Sequence, residues 1–450
     1  MQRVAFINIV ALSRDLIGVH TPSIRSFAER SGGVHPLHSS FPAVTTTVQT
    51  SMLTGAPVRE HGIVGNGWYD RTDGEVKFWK QSQKLVQAEP VWREAKRRDQ
   101  QFTSANICCW YAMNSDVDIF VTPRPIYRAN GRKHPDCLTR PPGLRDELQS
   151  RHGVFPLFRF WGPGSNIEST RWIVDAAIDV SRTYEPTLEM VYLPHLDYGL
   201  QKLGPNHPDI PTHLAQLDQE VGRLIDHFEE NGVRVFIASE YSIEEVDTPI
   251  ALNRVLRKSG LLELRRECGS DLLVPSECEA LAVADHQVAH VYVKQSRRIQ
   301  EVQEMLVNVP GVSKVVAPAE IGLDHERSGD LVAVADHGSW FVHDWWMDDE
   351  RAPDYSRTVD IHSKPGYDPR ELFLSSRVRL AWKLALMKLG IRTTLDVIPL
   401  DASLVRGSHG RNDPAKGREP VLIGIEKSNS ESDSIPCESV RSILIEAMFD

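Results

Sequence analysis

A large α/β domain, with a mostly parallel central sheet, helices on both faces and a small α+β insertion, is the fold class predicted for this 450-residue chain. Apolar runs bounded by polar turns recur at residues 4–12, 190–193, 233–239, 280–284, 290–293, 331–335 and 420–425. Amphipathic patterns separate several of them, most clearly at 210–230, where Leu214, Leu217, Val221, Leu224 and Ile225 recur at helical spacing. Strands that alternate with helices pair in parallel and are covered on both faces. The length also suffices for a sizeable core, in one large domain with an insertion or in two domains.

Taken in order, residues 1–285 read as the main part of the core, opened by the buried strand at 4–12. Residues 286–335 read as the insertion, with the pattern strand, helix (297–307), strand, strand. Residues 336–370, rich in Trp and Tyr among many Asp and Arg, read as a loop or lid, and 371–450 return to the core. The polar segment 428–434 is low-complexity sequence of the kind found in surface loops.

A net charge of −10 with pI near 6.0 argues against a nucleic-acid polymer as partner, since phosphate-backbone affinity needs clustered Lys and Arg. The six cysteines form no metal-type CxxC pair and read as free thiols of a reducing compartment. The N-terminus has one basic residue and no small-residue cleavage site, so it reads as a strand rather than a signal peptide. No run approaches the length of a membrane span, and cytoplasmic residence is the expectation.

Chemistry concentrates first at residues 41–55, where a proline precedes Thr45, Thr46 and Thr47 and a short run closed by Gly55 reads as a helix. Threonines in such a place are commonly N-caps. They are also where a transferring phosphoryl group is best received, because unpaired N–H groups and the helix dipole point at it. The sequence His61-Gly62-Ile63-Val64-Gly65-Asn66 follows, then 192–205 around Asp197, then Ser239-Glu240-Tyr241, then Gly407-Ser408-His409-Gly410. In sheets of this kind, sites lie beyond the carboxyl ends of the strands.

Taken together, these blocks resemble the alkaline phosphatase superfamily, and within it the nucleotide pyrophosphatase and type I phosphodiesterase branch, with some similarity to phosphonoacetate hydrolase around His409. The resemblance covers most of the chain and is most specific from Thr45 to Asn66. It implies an alkaline phosphatase-like fold and a phosphoric ester hydrolase. Thr45 would be the nucleophile, and Asn66 would donate to a phosphoryl oxygen. Family members use two metals held by aspartates, histidines and the threonine. By position Asp197 matches an aspartate ligand and His409 the late glycine-flanked histidine.

Other positions depart from that pattern. Gln201 stands where the family has histidine, and His195 is a candidate substitute if the chain there is extended. Glu240-Tyr241 stands for an Asp-His pair, and Val10 aligns with the first-strand aspartate while Asn8 shares its face. Asn8, Glu240 and Tyr241 are the candidates left for that second metal site. Either the site is retuned for a hard cation, Mg²⁺ or Mn²⁺ ahead of Zn²⁺, or hydrolysis has weakened. His362 and Lys364 alternate onto one side if their segment is extended, as a substrate contact or as part of a salt-bridged loop. Asp285-His286 and Asp336-His337 match the Asp-His pair only as dipeptides and read as structural.

The resulting expectation is a metal-dependent hydrolase of a small-molecule phosphodiester, pyrophosphate or phosphomonoester. Two alternatives stand beside it: a catalytically weakened relative that binds a phosphorylated metabolite or partner protein, and a metal-dependent phosphotransferase or mutase.

Overall fold

Each central strand is a near-continuous apolar run, because it is buried on both faces. Val4–Ile9, Leu188–Leu193 and Arg234–Ala238 lie side by side in parallel, with Asn8 opposite both Tyr192 and Ala238. In the computed structural model, which describes residues 1–129, 132–425 and 434–450, they form the middle of a nine-stranded sheet. Ser104–Ile107 and Ile119–Pro123 extend it in parallel on one side, ending at the antiparallel strand Cys137–Arg140. On the other side Val421–Ile423 runs antiparallel between Arg234–Ala238 and Val34–His38. Of the polar segment 428–434, all but the last residue lies outside the described residues.

The helix expected from its apolar spacing is Ile210–Glu230, and Leu214, Leu217, Val221, Leu224 and Ile225 are all buried. Burying side chains of this size contributes about 1.5–3 kcal/mol each. Asp218 on the same helix is buried too, and its two oxygens accept the N–H groups of Ser23 and Ile24, both at 2.9 Å. A carboxylate there satisfies unpaired donors at the start of the Pro22–Arg30 helix and matches its positive end.

A second sheet of four antiparallel strands has the order Ala280–Asp285, Val288–Val293, Leu331–Ala335, Val312–Val316, with the Ile299–Val307 helix against it. The break expected after residue 285 therefore falls inside a hairpin, at a turn made of His286 and Gln287, with His286 at φ +61°. The aromatic stretch 336–370 is more core than surface, since Trp340, Trp345 and Trp346 are fully buried. All six cysteines are free thiols, and five of them are buried. Among the described residues no helix is long and apolar enough to cross a membrane.

Candidate active site

Thr45 is the first residue of the Thr45–Thr54 helix, entered from Val44 in extended geometry and closed by Gly55 in the left-handed region (φ +63°). A side chain on Gly55 would be strained by that φ and would also press on Arg441. The threonine side chains do not cap this helix; Thr46 Oγ1 donates instead to the Gly65 carbonyl at 2.9 Å. Thr45 Oγ1 lies 3.1 Å from the Tyr241 hydroxyl.

Asn66 is held on three sides. Its Oδ1 accepts the Thr46 N–H at 3.1 Å, while its backbone N–H and Nδ2 donate to the two oxygens of Asp285 at 2.8 and 3.0 Å. One Nδ2 hydrogen remains for another acceptor. Burial pushes the Asp285 carboxyl up to about 7 against these donors. Asp285 thus sits at the site, brought there by the tip of the second sheet's hairpin, although chain order had set it aside. Its neighbour His286 lies against His409 and Tyr367, with ring centroids 3.6 and 3.7 Å apart. The signal for both was the Asp-His-Gln turn between two apolar runs.

Asp197 and Gln201 share one face of the His195–Leu203 helix, four residues apart, and Gln201 Nε2 donates to Asp197 Oδ2 at 2.8 Å. Tyr367 Oη donates to Gln201 Oε1 at 2.8 Å, and Tyr241 Oη to Asp197 Oδ1 at 3.2 Å. Burial raises the Asp197 carboxyl to about 7, although Gln201 and Tyr241 pull it back. His195 does not reach this cluster, because its segment is helical rather than extended and residues two apart diverge. Its Nε2 lies 3.3 Å from Nδ1 of His213 instead.

His409 arrives on a strand, Gly407–Ser408, packed against the His195–Leu203 helix so tightly that a Cβ on Gly407 would collide with the Leu200 carbonyl. His409 Nδ1 lies 2.8 Å from the Ala43 carbonyl, which fixes the proton on Nδ1 and leaves a bare lone pair on Nε2. That Nε2 is buried without a partner, and burial pushes the imidazole down to about 3. Tyr241 stacks on the ring at 3.6 Å between centroids and 7° between planes.

Glu240 is fully buried, with Oε1 accepting from Asn8 Nδ2 at 2.5 Å and Gln49 Nε2 at 2.6 Å. Burial raises it to about 8, and the two amides oppose the rise. Gln49 was not visible as a site residue; its amide oxygen Oε1 accepts the Trp110 N–H at 2.9 Å, which ties the Thr45 helix to the strand end at Ile107.

Two expectations are corrected at this point. Asn8 turns its donor nitrogen toward Glu240 and keeps Oδ1 buried without a partner, while the Tyr241 phenol is engaged by Thr45 and Asp197. Lys364 and His362 part company as well, because their segment is a turn rather than extended. Lys364 is buried and paired with Asp368 at 2.8 Å and Glu371 at 2.7 Å, beside Arg370, which itself bridges Asp368 and Asp344. Its charge is already neutralised in the core. His362 is exposed, with Nδ1 3.3 Å from the Phe78 carbonyl.

A largely parallel sheet covered on both faces, with Thr45, Asn66, Asp197, Glu240 and His409 gathered past its strand ends, is an alkaline phosphatase-type architecture. The chain belongs to the type I phosphodiesterase / nucleotide pyrophosphatase family, whose profile matches residues 4–368. The family is one of phosphoric ester hydrolases, and its members depend on divalent metals. An uncharacterized pyrophosphatase/phosphodiesterase of Schizosaccharomyces pombe is 22% identical over 259 residues, 54% of this chain and 44% of that protein. The chain thus spans less than half the length of that curated relative. Among solved structures, inactive murine ectonucleotide pyrophosphatase / phosphodiesterase 5 in complex with AMP is similar at a TM-score of 0.60 and 15% identity, over 100% of this chain and 95% of that one. Phosphonoacetate hydrolase from Sinorhizobium meliloti 1021 in complex with phosphonoformate gives 0.61 and 13%, over 99% and 96%.

Whether these residues suit a divalent cation differs across the site. Asp197, Gln201 and His409 suit one, since His409 carries an unpartnered buried lone pair of the tautomer that ligates and the other two supply oxygens. The second position is less complete: Val10 offers no donor and Tyr241 is stacked and bonded, while Asn8 and Gln49 satisfy one Glu240 oxygen and leave Glu240 Oε2 and Asn8 Oδ1 buried without a partner. Among the described residues no three His, Cys, Asp or Glu side chains cluster closely enough to hold a metal ion. A cation here would need the Gln201 carbonyl as well as Asp197 and His409.

Proposed function

We propose that this chain hydrolyses a small-molecule phosphoric ester, a phosphodiester, pyrophosphate or phosphomonoester, with Thr45 as nucleophile and one divalent cation at Asp197, Gln201 and His409. The observation that carries this reading is the placement of Thr45 at the first turn of its helix, with its hydroxyl bonded to Tyr241 and Asn66 clamped alongside. The Thr45 oxygen attacks phosphorus in line as the bond to the leaving oxygen breaks, giving a threonine phosphoester that water then hydrolyses. Asn66 donates its remaining Nδ2 hydrogen to a nonbridging oxygen as charge develops there. A bound cation would lower the Thr45 pKa and neutralise phosphoryl charge, and an oxygen-rich donor set favours Mg²⁺ or Mn²⁺. The partly exposed rings of Trp79 and Trp161, packed on Tyr367 at 6.0 and 5.9 Å, suit contact with an organic leaving group. That feature, and the AMP complex of the similar murine protein, favour a nucleotide-like ester.

A panel of p-nitrophenyl phosphomonoesters and diesters, assayed with Mg²⁺, Mn²⁺ and Zn²⁺ alongside metal analysis, tests this reading. Turnover that needs added cation and disappears in Thr45→Ala supports it. A specific observation favours a second reading, a weakened relative that binds a phosphorylated metabolite: the Tyr241 phenol bridges Thr45 and Asp197 in a closed, buried network. Binding of AMP without turnover under any of the three cations would establish that second reading.

A further inference from the structure

One helix of this protein packs only partly against the rest of it. Arg377–Lys388 has no buried residue, in a chain whose other long helices each bury a full face. Leu380, Lys383, Leu386 and Met387 are half-buried on the side toward the protein. The opposite side carries Val378, Trp382, Ala385 and Leu389, at the i, i+4, i+7, i+11 spacing that puts residues in one stripe. Val378 is 80% exposed, Trp382 63% and Leu389 76%. A core-facing stripe on a globular helix would be covered, and this one faces solvent.

Its charge is equally one-sided. From residue 377 to 395 the sequence holds Arg377, Arg379, Lys383, Lys388 and Arg392 and no acid, within a chain of net charge −10. Asp396 takes up Arg379 and Lys383 on the inner side. Arg377 and Lys388 flank the outward stripe, and no acidic partner lies within ion-pair distance of either among the described residues. The basic, apolar character continues onto a neighbouring hairpin, where Arg132 donates to the Met387 carbonyl at 3.0 Å. Ile126 and Tyr127 on that hairpin are 41% and 50% exposed and lie between Arg124 and Arg128.

We propose that this helix and hairpin dock the protein onto an anionic lipid surface, with Trp382 and Leu389 in the headgroup boundary and Arg377, Lys388 and Arg392 against the lipid charge. Tryptophan on an apolar stripe flanked by cations is the arrangement that lies in a membrane interface rather than across it. A second copy of the chain fits less well, because an isologous pairing would set these cations against each other.

Sedimentation of the full-length protein with vesicles of phosphatidylcholine, with and without phosphatidylserine, tests the proposal. Binding is expected only with phosphatidylserine, weakening as salt is raised. Arg377→Gln and Lys388→Gln should each lower it by about fivefold. Trp382→Ser should lower it too and remove the fluorescence quenching that brominated lipid causes in the wild type. Circular dichroism and hydrolytic activity should not change in these variants. Equal binding to both vesicle types, or full binding by a variant that combines Arg377→Gln, Lys388→Gln and Trp382→Ser, overturns the proposal. So does a solution dimer that Trp382→Ser dissociates in a protein that ignores vesicles, which would assign the face to a second copy.

Discussion

The Thr45–Asn66 half of the candidate site is braced from behind, whereas the Asp197–Glu240–Tyr241–His409 half is tied across itself. In the first, Asn66 hangs on Asp285 and Thr46, and the segment between is propped by two neutral imidazoles. His61 accepts the Ile63 N–H and meets Ser51 Oγ at 2.9 Å; His290 accepts the Gly329 N–H and meets the Val64 carbonyl at 2.9 Å. One Asn66 hydrogen is left without a partner, and Thr45 Oγ1 reaches across to the Tyr241 hydroxyl of the other half. In the second half the polar side chains bond mostly to one another, Tyr241 to Asp197, Gln201 to Asp197 and Asn8 to Glu240. The difference teaches that having Gln and Tyr in place of imidazole ligands does not simply empty a metal position. It converts the position into an internal hydrogen-bond network, which a cation must then displace.

The strongest way to break the comparison is Thr45→Ala. It should lower kcat by roughly 10⁴-fold or more with the fold intact, because it deletes the covalent step. Thr46→Ala should cost far less, and near wild-type turnover by Thr45→Ala in a phosphatase-free preparation would remove Thr45 from the mechanism.

Acid should fail the first half through its histidines. Burial holds His61 near 3 and His290 near 4, far below the ordinary value, and each ring nitrogen that would take a proton already accepts a hydrogen bond. The native state therefore binds fewer protons than the unfolded chain between pH 6.5 and 4. Stability is fully present above 6.5 and falls as pH falls, by about 1.4 kcal/mol per unit for each histidine. Asp285, raised to about 7, acts with the opposite sign, so comparison with a variant isolates the effect. In denaturant titrations His61→Gln should be less stable than wild type at pH 7 and show a shallower loss between pH 6.5 and 4. Parallel pH profiles would refute the neutral-imidazole brace.

Asp285→Asn should lower kcat about 10- to 100-fold with a smaller change in KM, since it loosens Asn66 rather than substrate binding. An unchanged kcat would show that Asn66 needs no clamp. The smallest effect belongs to the second half: Tyr241→Phe keeps the stack on His409 and loses the bonds to Thr45 and Asp197, a change of about tenfold in kcat. Gln201→His with Tyr241→His adds two imidazoles and should raise bound Zn²⁺ measured by mass spectrometry. Unaltered zinc content would mean that the network, not the ligand type, excludes the metal.

The sequence alone determined what depends on local pattern. Continuous apolar runs placed the central strands to within a few residues, helical spacing gave Ile210–Glu230 at both ends, and Gly55 marked the end of the Thr45 helix. Motif order was enough to identify the superfamily, and Gln201, Glu240 and Tyr241 were legible as departures from it. What only the tertiary structure decided were the partnerships between residues far apart in the chain: Asp285 on Asn66 across 219 positions, Asn8 on Glu240 across 232, His409 on Ala43 across 366. It also overruled expectations that assumed extended chain. His195 sits on a helix and Lys364 in a turn, so alternation did not apply and Lys364 went to the core to be neutralised by Asp368 and Glu371. The physical reason is the same in each case. Periodicity reports which face of an element is apolar, but a buried polar group takes whichever partner the packed elements bring within about 3 Å, and no local pattern encodes that distance.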